Sequence, residues 1–216
     1  MKDLKSNRAF SYIIIAVIYL LCYAVGVISF IYLPFSMPVN LFIADTFATI
    51  VCFIFSVIFK NSSVYDPYWS VAPLFIVITF AIFSKITLLS ALLLGVLCIW
   101  GVRLTANWAY TFKNLYHQDW RYTMLNEKTG KLYPAINFLG IHYFPTIVVY
   151  FCVLPAVFAI KYSYSFNYVS LIFIIISLLA VILQGVSDCQ MHSFRKIKRA
   201  RLLKLGFGNT RVTQTT

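Results

Sequence analysis

The sequence predicts an all-α fold: a polytopic transmembrane helical bundle of about six spans, with N- and C-termini in the cytoplasm. Three observations carry this expectation. The 216-residue chain is 61% hydrophobic with a mean hydropathy of +0.84, too apolar for a soluble domain. Its apolar residues fall into six runs, near the roughly 17–25 residues that a spanning helix needs. Sixteen of its 18 Lys and Arg residues lie on one side of the alternating path those runs define.

The six runs are Tyr12–Leu33, Leu41–Phe59, Tyr68–Phe83, Ile86–Val102, Ile141–Ile160 and Tyr168–Ser187. The first is too long and too aromatic for a cleaved signal peptide, and no small-x-small site precedes Pro34. It is expected to be retained. Pro34–Asn40 reads as a short outer loop with Asn40 as the N-cap of the second span. Asn61–Pro67 reads as a polar cytoplasmic turn. Gln118–Gly140 is the one long loop, and Lys161–Asn167 a second outer loop. Runs three and four are short and separated only by Ser84 and Lys85. They either cross fully or form a re-entrant hairpin, and both choices leave the other spans unchanged.

Only Lys85 and Lys161 fall on the outer side, so the positive-inside rule places both termini in the cytoplasm. The net charge of +12 then reports topology and anionic lipid headgroups, and nucleic acid is not an expected partner. The cell (cytoplasmic) membrane is the expected location. No repeat divides the chain. One membrane domain, residues 1–195, is expected before a basic cytoplasmic tail, residues 196–216. The five cysteines lack Cys-x-x-Cys spacing and read as small buried hydrophobes. His117, His142 and His192 lie too far apart for a recognisable metal motif. No Gly-x-Gly-x-x-Gly, Walker or Gly-x-Ser-x-Gly sequence is present.

Four polar features remain. Arg103, Asn107, Tyr110, Asn114 and His117 would fall within roughly 80° of one another on a helix. Such a stripe, where a span leaves lipid, points to a polar ligand. Gln184, Asp188, His192 and Arg195 form a second stripe of the same kind, for which an Asp188–His192 pair is the plain structural reading. Asp66 and Pro67 are expected to cap the third span, with Trp69 in the interfacial belt. Asp45 lies in the first turns of the second span. There the helix dipole favours an anion, yet an ionisable group inside a span equally marks function; the sequence leaves both readings open. The two stripes and the Asp66 turn are expected on one cytoplasmic face, lining one cleft, with Arg103 and Arg195 available to phosphates.

These residues carry a resemblance. Ala44-Asp45-Thr46, Phe53-x-Phe55-Ser56 and Asn61-Ser62-Ser63-x-Tyr65-Asp66-Pro67-Tyr68-Trp69-Ser70-Val71 resemble the steroid 5-alpha-reductase-like family of uncharacterised membrane proteins. So do Trp100-Gly101-x-Arg103-Leu104-Thr105-x-Asn107-Trp108, Asp119-Trp120-Arg121-Tyr122 and Asp188-x-Gln190-Met191-x-x-Phe194-Arg195. The matches cover roughly residues 40 to 195 in the family's order. The resemblance implies a helical membrane reductase that uses NADPH at the cytoplasmic face. Hydride would go to the electron-poor double bond of a lipidic enone in the bilayer. It implies cofactor contacts from Arg103, Asn107, Asp188 and Arg195, the last two matching an acid–arginine spacing of seven. No match to the Gln-Glu pair and Tyr that polarise the enone in steroid reductases is found, so the catalytic acid is unassigned.

The family continues into an Arg-His-Pro-Asn-Tyr motif and further spans, which the sequence after Arg195 lacks. A truncated, inactive member is therefore one expectation. An isoprenylcysteine-methyltransferase-like enzyme using S-adenosylmethionine is an alternative, and a non-enzymatic membrane remnant or scaffold another. Substrate and oligomeric state are not readable.

Overall fold

The computed structural model describes residues 7–162, 165 and 167–204, with side chains through residue 197. The start of the N-terminal tail, parts of the 161–167 loop and the distal part of the 196–216 tail lie outside the described residues. The described residues are helical throughout, without a strand, and six helices are long and apolar enough to cross a membrane. They are built on α1 (Arg8–Tyr32), α2 (Met37–Phe59), α3 (Tyr68–Ile82, a span together with the 3₁₀ turn Ser62–Tyr65), α4 (Leu88–Thr111), α6 (Phe144–Lys161) and α7 (Tyr168–Lys204), with the short α5 (Trp120–Thr129) between α4 and α6.

Local chemistry sets several of these ends. The Asn7 side chain accepts from Phe10 N at 3.2 Å and starts α1. Pro38 occupies the first turn of α2, where its missing N–H costs nothing. Asn40 is not the N-cap of α2, which begins three residues earlier after Ser36. Its side chain instead accepts from Phe35 N at 3.1 Å and donates to Leu33 O at 2.7 Å, closing the α1–α2 turn. Thr87 and Ser90 form a capping box at the start of α4. The far end of α4 is closed from α1: Arg8 Nη2 and Tyr12 Oη donate to Ala109 O at 2.9 and 2.6 Å. A basic residue on final helix carbonyls also complements the dipole.

The helices keep the expected order but differ in their limits from the expected runs, most at the ends of α4 and α7. α4 continues to Thr111 and then stops, so Asn114 and His117 leave the helix. α7 continues through residue 195 to Lys204 without a break. α3 has 15 residues, about 22 Å at 1.5 Å per residue, and the 3₁₀ turn Ser62–Tyr65 extends it. Ahead of α6 the backbone widens into a π segment, Asn137–Tyr143. Pro145 follows and has no N–H for the carbonyl a turn before it. Asp66 does not cap α3 with its side chain; its carboxylate accepts from Tyr122 Oη at 2.6 Å. Of the cysteines, Cys22 and Cys52 are buried as expected, whereas Cys152 and Cys189 are exposed.

α3 is the hub of the bundle. It packs on α4 and α6, and α1 and α2 pair along their lengths beside it. The main core joins Ile15, Ile18, Tyr19 and Cys22 of α1 to Cys52 of α2, Val64 and Tyr65 of the turn, and Tyr68 of α3. Ser70 Oγ and Thr105 Oγ1 share a 2.8 Å bond between α3 and α4. The loop after α4 folds back under the bundle, burying Leu115. Asn61 Nδ2 donates to Leu115 O at 2.7 Å, Leu115 N to Ser11 Oγ at 3.1 Å, and Asp119 N to Ser63 Oγ at 2.9 Å.

At Gly101, α4 lies directly against the Leu74 side chain of α3. A Cβ there would lie 2.6 Å from Leu74 Cγ, so Leu74 would have to leave its position. Gly101→Ala is expected to cost about 1–3 kcal/mol, read as a lower midpoint of thermal unfolding in detergent. An unchanged midpoint would show that this contact has slack.

Candidate functional site

A cavity of about 450 Å³ lies among α1, α2 and α3, within the size range of small-molecule sites. Its α1 wall runs from Tyr19 to Ile31, about 18 Å of helix. Exposed Ile31 and Phe83 stand at one end, and Tyr19, Asp45 and Tyr68 at the other. The walls between are apolar, except for Tyr23 Oη and Thr79 Oγ1, bonded to each other at 2.8 Å.

Asp45 is the one charged residue type in that lining. It is buried, and its Oδ1 accepts from Tyr68 Oη at 2.8 Å. Its Oδ2 is buried without a hydrogen-bond partner among the described residues. A buried carboxyl oxygen with no partner is costly, and inside an apolar span it is a functional candidate.

Tyr68 is held from several sides. Its ring stacks on Tyr65 at 4.9 Å and meets the Tyr19 ring edge-on at 6.1 Å. Tyr19 Oη is itself fixed, donating to Val64 O at 2.8 Å. Behind Tyr68 stand Thr49 of α2 and Thr146 of α6, 2.8 Å apart, with Tyr65 Oη 2.7 Å from Thr146. His142 packs against Tyr65 with ring centroids at 4.7 Å. Its Nδ1 bonds Asn137 O at 2.9 Å, and its buried Nε2 has no partner among the described residues.

The two anticipated stripes do meet, but they meet each other. Arg103 of α4 pairs with Asp188 of α7 and donates to Gln184 Oε1 at 2.8 Å. Its stem crosses Gly185, where a Cβ would lie 3.6 Å from Arg103 Cδ. Asn107 Oδ1 bonds His192 Nε2 at 2.8 Å, and Tyr110 packs edge-on against the His192 ring at 4.7 Å. Asp188 is therefore the partner of Arg103, not of His192. Arg195 is exposed and has no hydrogen-bond or ion-pair partner among the described residues.

Asn114 and His117 lie in the loop beyond α4. The Asn114 side chain accepts from the N–H groups of Tyr116 and His117, both at 3.1 Å. Nearby, burial alone would raise the carboxyl of Asp119, but bonds from the Arg121 side chain and backbone hold it below the ordinary carboxylate range. That small contribution is present above about pH 4 and lost as pH falls through the lowered value.

Of the four residues anticipated for a dinucleotide, three lie at the α4–α7 contact, each with a side-chain partner, and the fourth lies further along α7. Arg103 and Asp188 neutralise each other, Asn107 is committed to His192, and Arg195 stands apart. The acid–tyrosine pair at the cavity joins Asp45, a residue the sequence left open, to Tyr68, which sequence reasoning missed. A signal for it existed: Asp45 and Thr49 are four apart on one helix, and Tyr65 and Tyr68 three apart before the next.

Residues 52–210 match the family described as Protein of unknown function (DUF1295). The match covers more than half of the chain, and the protein belongs to that family. No curated protein and no solved structure matches it.

The α4–α7 contacts should behave as one coupled unit. A double-mutant cycle of Arg103→Gln and Asp188→Asn, followed by thermal unfolding, is expected to give a coupling of roughly 0.5–3 kcal/mol. Strictly additive losses would mean that the pair does not hold α7.

Proposed function

We propose that this DUF1295 member is a reductase-like integral membrane protein. It takes an elongated lipidic molecule into the cavity among α1, α2 and α3 and binds its one oxygen function at Asp45 and Tyr68. The observation that carries this reading is Asp45 in the lining of an otherwise apolar cavity, its buried Oδ2 without a hydrogen-bond partner among the described residues.

The chemistry follows from what the pair can exchange. Tyr68 Oη spends its proton on Asp45 Oδ1. As a neutral acid, Asp45 donates from Oδ2 to a carbonyl; as a carboxylate, it accepts from a hydroxyl. Either way the site recognises a single polar group on a lipid, and apolar walls exclude water from it. For a lipidic enone, a hydrogen bond at the carbonyl oxygen draws electron density from the conjugated double bond and stabilises the charge that develops there on reduction. Asp45 and Tyr68 would then be the catalytic acid pair that the sequence left unassigned.

The reductase half of the proposal rests on the family resemblance. NADPH and cofactor roles for Arg103, Asn107, Asp188 and Arg195 come from that resemblance alone. If NADPH binds, it supplies the hydride. Stabilisation by S-adenosylmethionine instead of NADPH in a thermal-shift assay would transfer the reading to methyl transfer.

The lipid half is tested directly with three probes of one shape: farnesal, farnesol and farnesene. They carry an enal carbonyl, a hydroxyl and no oxygen. The purified protein is expected to bind one of the oxygenated probes more tightly than farnesene. Asp45→Leu should lose about tenfold or more of that affinity, leaving farnesene unaffected. Equal binding of all three probes would contradict the proposal.

A further inference from the structure

We infer that Thr49, Thr146 and Tyr65 are positioning residues for the cavity site: together they form a one-way line of hydroxyls that fixes Tyr68 as a donor to Asp45 Oδ1 and so keeps Oδ2 for the ligand. The ligand in this statement rests on the lipid reading above. The line itself does not.

Each hydroxyl has one proton, so when Thr146 gives its proton to Thr49 rather than to its own-helix carbonyl, that count sets the direction of the line. Tyr68 Oη gives its proton to Asp45 Oδ1 at 2.8 Å. It therefore accepts from Thr49 Oγ1, which lies 3.4 Å away. The Thr49 proton is then spent, so the 2.8 Å contact between Thr49 and Thr146 needs Thr146 as its donor. Thr146 in turn accepts from Tyr65 Oη at 2.7 Å. All four contacts are satisfied together when every proton points toward Asp45. In a low-dielectric interior such a chain polarises along its length, so its far members act on its end.

Thr146 is where the line can break. Its own-helix carbonyl, His142 O, lies 2.9 Å from Oγ1 and competes for the same proton. If the proton goes there, Thr49 must donate to Thr146, and Tyr68 loses its donor. The Tyr68 ring cannot compensate, since Tyr65 and Tyr19 hold it from the face and the edge. The line also spans four elements: α2, the 3₁₀ turn, α3 and α6. The site's orientation is therefore a property of the whole bundle.

The test uses pairs of substitutions that separate hydroxyl from volume. Thr→Val keeps the volume and removes the hydroxyl; Thr→Ser keeps the hydroxyl and removes a methyl. The full chain is reconstituted in lipid, and the infrared band of the Asp45 side chain is identified by subtracting the spectrum of Asp45→Asn. The band is expected to move in Thr49→Val, Thr146→Val and Tyr65→Phe, and to hold in Thr49→Ser and Thr146→Ser. Affinity for the oxygenated farnesyl probe should fall roughly two- to tenfold in the valine variants and hold in the serine ones.

A band that ignores the valine variants, or that moves equally with serine, overturns the inference. If one valine variant fails to fold, the other and Tyr65→Phe still report. If the band moves as expected while the unaltered protein binds none of the three probes, the hydroxyl line stands and the lipid reading falls.

Discussion

The buried turn between α2 and α3 is the constraint on which the rest of this structure depends. Backbone groups placed among apolar helices have no water to bond, so each must find a partner within the protein. Residues Asn61–Asp66 meet that demand with backbone and side chains together: the N–H groups of Asn61, Val64 and Asp66 donate to the carbonyls of Ser56, Asn61 and Ser63, and side chains supply the rest. The Asn61 carboxamide accepts from Ser63 N at 2.9 Å and donates to Leu115 O. Ser62 N donates to Gln118 Oε1 at 3.0 Å, and Ser62 Oγ donates to Asn137 Oδ1 at 2.9 Å. One short turn thus fixes the loop after α4 and the π segment before α6. It also launches Tyr65 and Tyr68 into the bundle from a rigid base. A site built on such a turn has its geometry set before any ligand arrives.

Within that frame, polar side chains are used in two different ways. Between α4 and α7 they join helices: Arg103 pairs with Asp188 and Gln184, and Asn107 with His192, leaving Arg103 Nε as the one buried side-chain atom of the cluster without a partner among the described residues; α7, whose apolar face is largely exposed, has few other contacts. Beside the cavity they lead to an atom with no partner among the described residues, Asp45 Oδ2. The two differ in setting: the α4–α7 groups face one another across a helix seam, whereas Asp45 belongs to the lining of an apolar cavity. The arginine stripe looked the better site in the sequence because it is long and charged. Its length is what lets it serve as a seam.

The architecture was legible because an apolar run of spanning length must satisfy its own backbone in lipid, and a helix does so within one segment. Six runs became six helices. Helix ends were less legible. The polar positions Asn107, Tyr110, Asn114 and His117 keep a helical period across Thr111, yet the helix stops there because the chain turns to bury Leu115, a tertiary demand with no local signature. Asp66 looked like a cap because Asp-Pro commonly starts helices; a tyrosine 56 residues later claims its carboxylate. Asp45 was visible but ambiguous, since an anion near a helix start has a local excuse. Tyr68 was hidden by its own character, an aromatic ring in an aromatic span. Only the fold places its hydroxyl on the carboxyl of Asp45, 23 residues earlier.

The central claim is that the cavity holds a lipidic molecule by one oxygen function at Asp45 and Tyr68. Native mass spectrometry of the protein released from its own membranes tests it most directly, with Val71→Phe, which fills the cavity wall, as the comparison. The account predicts a retained apolar molecule bearing a carbonyl or hydroxyl, absent from Val71→Phe and reduced in Asp45→Leu. Retention of the same species by all three proteins, or of bulk phospholipid alone, would contradict it.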